Sequence, residues 1–424
     1  MDDSCVPLGN RLRGPITPPC SKSYAQRALA AALLASGRTT LRGIELCRDT
    51  RSAIAAIEAL GATVEIIDDN TIAIEGGFSP RADRLNVGES GLSARLFTPI
   101  AALADKSICI SGEGTLLHRP MSMMIEPLQE LGVEVRDGGG RLPIEVRGPM
   151  RGGRVVVDGS MSSQFVTGLL IALPLAKRDT TIEVRGAVST PYIDMTLDTL
   201  ERFGVEVMYH EGDYSEFFIE GEQSYKGVDY TIESDWSAAA MIMVAAAIAG
   251  EVCITNLSTL SRQADTAICR ALERAGASLV IEENSITVAH RDLEAFTFDA
   301  THCPDLFPAL VALAAAAEGV STIYGIERLR GKESDRGEVL KEEYGKLGIE
   351  IELDYDENVM RVVGGKVEVA KVDSHDDHRI AMSLAITALR FDEELNIINR
   401  ECVAKSYPSF FEDLESLKRA GREQ

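Results

Sequence analysis

Aromatic residues make up only 5% of this sequence of 424 residues, and it contains a single tryptophan. So few aromatic side chains argue against a surface that binds by stacking and favour closely packed helices. Positive charge is also scarce, since 43 Lys and Arg face 66 Asp and Glu, for a formal net charge of −23. Binding to phosphate backbones needs a net basic face. We therefore expect no nucleic-acid partner and no anionic membrane partner.

No C-x-x-C pair occurs among the eight cysteines, and the acidic start MDDSC lacks the basic and apolar regions of a secretory signal. Both features predict reduced thiols and a cytoplasmic protein. The longest apolar runs, such as Ala238 to Ala249, have 12 residues, fewer than the ~20 that a membrane helix needs. They predict buried core helices.

Walker A, dinucleotide Gly-rich, H-E-x-x-H and G-x-S-x-G patterns are all absent. Nucleotide-driven, hydride-transfer and serine-hydrolase chemistries therefore lack their usual sequence support. The segment HDDHR from His375 has metal-ligand residue types, but adjacent side chains rarely point one way and no second His/Cys cluster completes a site. We expect no metal.

A six-fold repeat is the main feature that is present. Sequences such as ELGVEVR and RFGVEVMY recur around glycines 71 to 73 residues apart, namely Gly61, Gly132, Gly204, Gly276, Gly348 and Gly421. Each glycine is predicted to follow a helix in the left-handed conformation and to precede a strand. The period suits a unit of two helices and several strands, and the chain length predicts two domains of three units. The first strand, predicted at Leu8 to Ile16, is expected to pair with the C-terminal half.

About 40 residues before each glycine, a polar motif precedes an apolar run. These motifs are SKSYAQR, GESGLSAR, SMSSQF, SDWSAA, HCPDLF and HDDHRIA. Helix N-termini favour anions, so six such starts can converge on one anionic ligand. Ordinary helix capping is the alternative for any single motif. Four cations favour anion binding over ordinary capping, because a plain helix cap needs no cation. They are Lys22, Arg27, Arg95 and Arg379.

The second helix of five units also starts with polar residues, in HRPM, STPYID, SRQADT, GKESDR and AKSYP. In GKESDR, Lys332 and Arg336 are four residues apart and are predicted to share a helix face beside Glu333. Asp305, in HCPDLF, heads an apolar helix. It is either a cap or a carboxylate whose burial raises its pKa towards that of a general base.

Nine of these motifs, in this order and spacing, resemble the 5-enolpyruvylshikimate-3-phosphate synthase family from end to end. The resemblance implies an α/β fold of two domains, each an inside-out α/β barrel of three βαβαββ units. One expected domain combines residues 1–20 with residues 234–424 and contains the residues for phosphoenolpyruvate and for acid/base chemistry. The other expected domain, residues 21–233, binds shikimate 3-phosphate. The implied reaction moves a carboxyvinyl group from phosphoenolpyruvate to shikimate 3-phosphate and releases phosphate. No cofactor is implied, and a monomer is expected.

The resemblance also implies residue roles. The shikimate 3-phosphate residues are Lys22, Ser23, Arg27, Ser162, Ser163, Gln164, Ser189, Tyr192, Asp305 and Lys332, of which Ser23 and Arg27 hold the carboxylate and Ser162, Ser163 and Ser189 the phosphate. The phosphoenolpyruvate residues are Lys22, Gly91, Arg119, Gln164, Arg336, Arg379 and Lys405. The catalytic residues are Asp305, Glu333, Lys332 and Lys22. Asp305 takes the proton of the 5-hydroxyl, and Lys332 and Glu333 are both candidates for proton delivery to the methylene carbon.

Two departures from the family pattern stand out: Cys20 replaces a glycine, and Glu89 and Leu92 alter the glycine loop. We expect the Glu89 side chain to point away from the substrate or to pair with a cation such as Arg95. Two alternatives remain open. One is the sister enolpyruvyl transferase acting on UDP-N-acetylglucosamine, whose usual reactive cysteine is missing from GEGTLLHRP. The other is a non-catalytic anion-binding protein, which would be expected to lose Asp305, Glu333 and Lys332.

Overall fold

A computed structural model describes residues 6–422 of the chain. These residues form two compact units. The N-terminal unit is Cys20–Glu233, and the C-terminal unit combines the described residues before Cys20 with those after Glu233. The polypeptide therefore passes from one unit to the other twice. Among the described residues, no helix combines the length and the apolar character needed to span a membrane.

Helices make up much of both units. Within residues 6–422 the α-helices are α1 (Lys22–Leu34), α2 (Arg48–Ala59), α3 (Gly91–Ala101), α4 (Ile125–Glu130), α5 (Gln164–Ala172), α6 (Pro191–Arg202), α7 (Trp236–Ala249), α8 (Ile268–Arg274), α9 (Phe307–Ala316), α10 (Arg336–Lys346), α11 (His378–Thr387) and α12 (Phe410–Arg422).

The strands alternate with these helices. They are β1 (Leu12–Ile16), β2 (Ala35–Ser36), β3 (Arg38–Arg42), β4 (Thr63–Asp68), β5 (Thr71–Glu75), β6 (Arg84–Asn86), β7 (Ser107–Ser111), β8 (Glu134–Asp137), β9 (Ile144–Arg147), β10 (Gly153–Asp158), β11 (Thr180–Arg185), β12 (Met208–His210), β13 (Asp213–Ile219), β14 (Tyr225–Lys226), β15 (Asp229–Thr231), β16 (Gly250–Thr255), β17 (Ser278–Ile281), β18 (Ser285–Ala289), β19 (Thr297–Asp299), β20 (Val320–Tyr324), β21 (Ile351–Asp354), β22 (Val359–Val363), β23 (Lys371–Asp373) and β24 (Asn396–Ile398).

Five four-stranded sheets in the described part of the chain share one topology. Their orders are β15-β3-β5-β4, β6-β7-β9-β8, β10-β11-β13-β12, β1-β16-β18-β17 and β19-β20-β22-β21. In each, the first two strands are parallel and the remaining neighbours are antiparallel. The last segment keeps only the parallel pair β23-β24, followed by α12.

The predicted pairing of the first strand with the C-terminal half is confirmed, because Leu12 of β1 pairs with Gly250 of β16. The predicted start of that strand is wrong. Residues Leu8–Asn10 form a 3₁₀ turn, and the strand begins at Leu12.

The repeated glycines follow the prediction in five of the six cases. Gly61, Gly132, Gly204, Gly276 and Gly348 each come directly after a helix C-cap residue and have positive φ, from 77° to 124°. Glycine adopts this left-handed conformation without a Cβ penalty.

The prediction for Gly421 is wrong, because this residue lies inside α12, which continues to Arg422. A Cβ atom at position 421 would come within 2.0 Å of the backbone oxygen of Arg11. Here glycine is needed for the close approach of α12 to the segment that leads into β1, and not for its backbone conformation.

Replacing Gly421 by alanine is therefore expected to lower the free energy of unfolding by about 1–3 kcal/mol, as overpacking does. Gly345→Ala is the matched control, because a Cβ there meets nothing within 4 Å inside α10. It is expected to stabilise by about 0.4–1 kcal/mol. Urea denaturation followed by fluorescence of Trp236, the single tryptophan and 98% buried in the same unit, measures both. Equal unfolding midpoints for the two variants would contradict this account.

The core of each unit is built on helices that are buried around their whole circumference. In the C-terminal unit α7, α9 and α11 pack on one another. In the N-terminal unit α3 packs on α1 and α5, and a Cβ on Gly168 of α5 would come within 2.3 Å of the Arg95 oxygen of α3. Small side chains thus allow close helix contacts, as the low aromatic content predicts.

Candidate active site

All six polar motifs lie at helix starts, as predicted. The N-cap residues of the first helices are Ser21, Ser90, Ser163, Asp235 and Asp377 for α1, α3, α5, α7 and α11. HCPDLF instead forms a 3₁₀ turn, Pro304–Leu306, that leads into α9. Helix starts therefore carry predicted site residues in both units.

In the C-terminal unit a network of ion pairs joins the residues predicted to be chemically active. We call it the ionic cluster, and it consists of Asp305, Lys332, Glu333, Arg336, Asp377, Arg379 and Lys405. Four cations face three carboxylates, an excess of one positive charge. This excess stands out in a chain whose net charge is −23.

Arg336 is at the centre of the ionic cluster and is fully buried. Its guanidinium reaches three carboxylates: Nη1 is 2.7 Å from Asp305 Oδ1, Nη2 is 2.7 Å from Glu333 Oε2, and Nε is 2.7 Å from Asp377 Oδ2. Burial would lower the pKa of Arg336, but Asp377, Glu333 and Asp305 together raise it well above its ordinary value. The side chain is therefore a fixed positive charge.

Asp305 accepts contacts from three cations. Lys332 Nζ is 3.3 Å and Arg336 Nη1 2.7 Å from Oδ1, and Arg379 Nη2 is 3.4 Å from Oδ2. Burial alone would raise the pKa of Asp305, but Arg379, Lys332 and Arg336 lower it well below its ordinary value. The expectation of a raised pKa is therefore wrong. Asp305 is also not a cap, since the N-cap residues here are Cys303 and Leu306.

Lys332 and Arg336 do not share a helix face, contrary to the prediction. The side chain of Asp335 caps α10 by accepting from the Glu338 amide at 3.5 Å, so the helix begins only at Arg336. Lys332 and Glu333 precede it in a bend, yet Lys332 still reaches Asp305. Burial is the largest influence on Lys332 and lowers its pKa.

The residues of HDDHR point in different directions, as expected. His375 Nε2 lies 2.9 Å from Glu343 Oε1, whereas Asp377 contacts Arg336. A group of possible metal ligands does occur at Glu342, Glu343 and His375. Lys346 Nζ already lies 3.0 Å and 2.7 Å from the two glutamates, so both carboxylates already have a cationic partner.

In the N-terminal unit, the glycine loop and the HRPM segment come together. A Cβ on Gly91 would come within 2.5 Å of Arg119 Nη1, so the Arg119 guanidinium lies directly against this glycine. Arg95 connects Gln164 to the same segment, donating from Nη1 to Gln164 Oε1 at 2.7 Å and from Nη2 to the Pro120 oxygen at 3.1 Å. The geometry thus joins three of the predicted phosphoenolpyruvate residues.

Arg27 lies among three helices of the same unit. It is 1% exposed and donates to the hydroxyls of Thr196 at 2.9 Å and Thr167 at 3.3 Å. It also donates to the backbone oxygens of Ser23 at 2.8 Å and Tyr192 at 2.9 Å. Burial lowers the pKa of Arg27 to about 10. None of these four acceptors carries a negative charge, so none of them compensates the charge of Arg27. Such a guanidinium suits an anionic ligand.

The predicted phosphate-binding serines lie close in sequence to Gln164 and Tyr192. Ser162 Oγ accepts from the Gln164 amide at 3.2 Å, and Ser163 is buried at the start of α5. Ser189 is buried, has a φ of 55°, and its backbone oxygen accepts from the Tyr192 amide at 3.1 Å. A non-glycine residue with positive φ often marks a functional turn.

Several partners were not foreseen from sequence. Asp49, buried in the first turn of α2, lies 3.1 Å from Lys22 Nζ. The sequence places Asp377 at a helix start within HDDHRIA but does not pair it with Arg336, and no motif includes Thr167 or Thr196. The N-cap position of Asp377 before an apolar helix was a signal for its place, whereas nothing in the sequence pairs Asp49 with Lys22.

The departures from the family pattern have local contacts. The sulfur of Cys20, which is buried, accepts from the Glu45 amide at 3.1 Å. Glu89 lies beside Gly114, where an added Cβ would be 2.7 Å from its carboxyl carbon. Its pairing with Arg95 stays a prediction.

Comparison with known proteins gives consistent matches along the chain. A family model described as EPSP synthase (3-phosphoshikimate 1-carboxyvinyltransferase) matches residues 6–414. The 3-phosphoshikimate 1-carboxyvinyltransferase of Clostridium perfringens strain SM101 is 37% identical over 98% of this chain and 98% of its own. That of Methanosarcina acetivorans is 37% identical over 96% of each chain. A solved EPSP synthase from Acinetobacter baumannii aligns with a TM-score of 0.81 and 26% identity, covering 97% of both chains.

Proposed function

We propose residue roles for this chain, which belongs to the EPSP synthase family. The chain transfers the enolpyruvyl (1-carboxyvinyl) group of phosphoenolpyruvate to the 5-hydroxyl of shikimate 3-phosphate and releases phosphate, a step in the biosynthesis of aromatic amino acids. The observation that carries the roles is the ionic cluster, in which Asp305 is in contact with three cations.

Phosphoenolpyruvate carries a carboxylate and a phosphate, and its proposed partners are mostly cations. In the C-terminal unit they are Arg336, Arg379 and Lys405, and in the N-terminal unit they are Lys22, Gly91, Arg119 and Gln164. The contact of Gly91 with the Arg119 guanidinium supports this set, because a side chain at position 91 would displace that cation. Charged donors bind such anions more strongly than neutral donors do.

Shikimate 3-phosphate is proposed to bind through Lys22, Ser23, Arg27, Ser162, Ser163, Gln164, Ser189, Tyr192, Asp305 and Lys332. Ser23 and Arg27 take the carboxylate. The buried Arg27 supports this role, because the two hydroxyls and two backbone oxygens that accept from it are all neutral. Ser162, Ser163 and Ser189 take the phosphate, as neutral donors near a helix start do.

Asp305 is proposed to remove the proton of the 5-hydroxyl. A carboxylate held by three cations is a weak base, so substrate binding must change its surroundings. The anionic groups of phosphoenolpyruvate compete with Asp305 for Arg336 and Arg379, and shikimate 3-phosphate competes for Lys332. As these cations turn to the substrate, the pKa of Asp305 rises and the carboxylate becomes a better base. The base is thus activated only when the substrate is bound.

Proton delivery to the methylene carbon is proposed for Lys332 or Glu333, with Lys22 as a further catalytic cation. The lowered pKa of Lys332, caused mainly by burial, makes its ammonium a better acid and supports the first candidate. Glu333 is held by Arg336 at 2.7 Å and by Lys405 at 3.8 Å.

The deciding experiment measures phosphate release from phosphoenolpyruvate with two acceptors. Release is expected with shikimate 3-phosphate and not with UDP-N-acetylglucosamine. Release with UDP-N-acetylglucosamine alone would favour the sister enzyme, and release with neither acceptor, although both substrates bind, would favour a non-catalytic anion-binding protein.

The proposal also covers the cellular location and the oligomeric state of the enzyme. We place the enzyme in the cytoplasm as a monomer with no nucleic-acid partner. The net charge of −23 supports the last point. Size-exclusion chromatography with light scattering tests the monomer, for which the expected mass is 45.9 kDa.

A further inference from the structure

Asp265 is a buried carboxyl group of the C-terminal unit that has no role in the scheme above. It lies in a 3₁₀ turn, Ala264–Ala267, and is 2% exposed. The Ser237 hydroxyl donates a short hydrogen bond to its Oδ2. Its Oδ1 is buried and has no hydrogen-bond partner among the described residues. A buried carboxylate with one oxygen unpartnered is costly, so this position favours the protonated acid.

The turn that carries Asp265 is attached to the start of α7. Two residues earlier, Gln263 accepts from the Trp236 amide at 3.1 Å and donates to the Ser234 oxygen at 2.8 Å. Ser237 is the second residue of α7. Asp265 is therefore held in a fixed place beside the start of α7.

Three other elements bring charged or titratable groups to Asp265. The start of α7 contributes Asp235, the segment before α9 contributes Cys303 and Asp305, and α11 contributes Arg379. Burial and then Asp305 raise the pKa of Asp265 to about 7, against the opposing influence of Arg379 and Ser237. Arg379 in turn interacts with both Asp305 and Asp265.

We propose that Asp265 is a positioning residue whose bound proton keeps a further negative charge away from Arg379 and so strengthens phosphoenolpyruvate binding through Arg379. With the proton bound, Asp305 is the main carboxylate partner of Arg379. When the proton leaves, Asp265 adds a negative charge and competes with the substrate for Arg379. This inference rests on the proposed function, because it concerns the substrate of that site.

The affinity for phosphoenolpyruvate is expected to fall as the pH rises. Asp265 is protonated below about pH 7 and ionised above it. The KM for phosphoenolpyruvate is therefore expected to rise severalfold between about pH 6 and about pH 8.5, with a smaller change in kcat, because the added negative charge weakens the attraction of Arg379 for the anionic substrate.

Asp265→Asn mimics the protonated acid and is expected to remove this rise, leaving a lower KM than the unaltered enzyme above about pH 8. Titration of phosphoenolpyruvate itself affects the KM of both enzymes equally, so it cancels in the ratio of the two KM values. Asp392→Asn is the matched control, because Asp392 is an exposed aspartate of the same unit. It should keep the original profile.

Ser237→Ala provides a second variant if Asp265→Asn folds poorly. The Ser237 hydrogen bond lowers the pKa of Asp265, so its removal is expected to move the rise in KM to higher pH. Melting temperatures establish that each variant is folded.

Two results would overturn the inference: a rise in KM for Asp265→Asn at the same pH as in the unaltered enzyme, or a Ser237→Ala profile unchanged or shifted to lower pH. Either can occur while phosphate release with shikimate 3-phosphate stays normal, so this inference can fail without the proposed function. Absence of that phosphate release at every pH would instead defeat the proposed function.

Discussion

Asp305→Asn is expected to lower kcat by about 10²–10⁴-fold, the range for loss of a general base. The KM for phosphoenolpyruvate should stay the same or fall. Asparagine has no charge to hold Lys332, Arg336 and Arg379, whose side chains lie 2.7 to 3.4 Å from Asp305. These cations then become more available to an anionic substrate. Steady-state kinetics with each substrate varied in turn measures the two effects.

The direction in which the KM for phosphoenolpyruvate changes distinguishes a catalytic base from a structural residue. A lower kcat with a strongly raised KM and a lower melting temperature would show that Asp305 mainly holds the fold of the ionic cluster. Asp356→Asn, at an exposed position of the same unit, is the control and should leave both constants unchanged.

Asp377→Asn is expected to lower the free energy of unfolding by about 3 kcal/mol. Asp377 is fully buried and accepts from Arg336 Nε at 2.7 Å and Nη2 at 3.3 Å. Removing one partner of a buried ion pair leaves the other charge poorly compensated, which costs about 3–5 kcal/mol. The lower end applies because Asp305 and Glu333 still contact Arg336.

The adjacent residue provides the control, since Asp376 is exposed and has a φ of 57°, which asparagine tolerates. Asp376→Asn should therefore change stability by less than about 0.5 kcal/mol. Urea denaturation monitored at Trp236 compares the two variants in the unit that contains them. Similar midpoints for both would show that Arg336 does not depend on Asp377.

Much of the fold was predictable because the repeat depends on residues that are close together in sequence. A glycine in the left-handed conformation after a helix depends on its neighbours alone, so Gly61, Gly132, Gly204, Gly276 and Gly348 were identified from spacing. Gly421 was misassigned because its requirement comes from Arg11, which is remote in sequence. Contacts between distant segments leave no periodic signal.

The same distinction applies to the candidate site. Helix starts bearing Lys22, Arg336 and Arg379 were predicted, because polar residues before apolar runs mark them. The lowered pKa of Asp305 was not predicted, because it depends on three cations that come from two other segments of the chain. Asp265 was overlooked within SRQADT for a similar reason. Its burial and its contact with Ser237 arise only in the folded unit.

The pairing of β1 with β16 has a consequence for biosynthesis of the chain. Leu12 emerges from the ribosome long before its partner Gly250, a delay of roughly ten to fifty seconds at ordinary translation rates. During that interval β1 is a strand without its sheet, the kind of segment that associates with other nascent chains. Arg13 and Pro15 lie within it, and a charge and a proline discourage such association. The composition of this short strand thus protects the newly made polypeptide until its C-terminal half is translated.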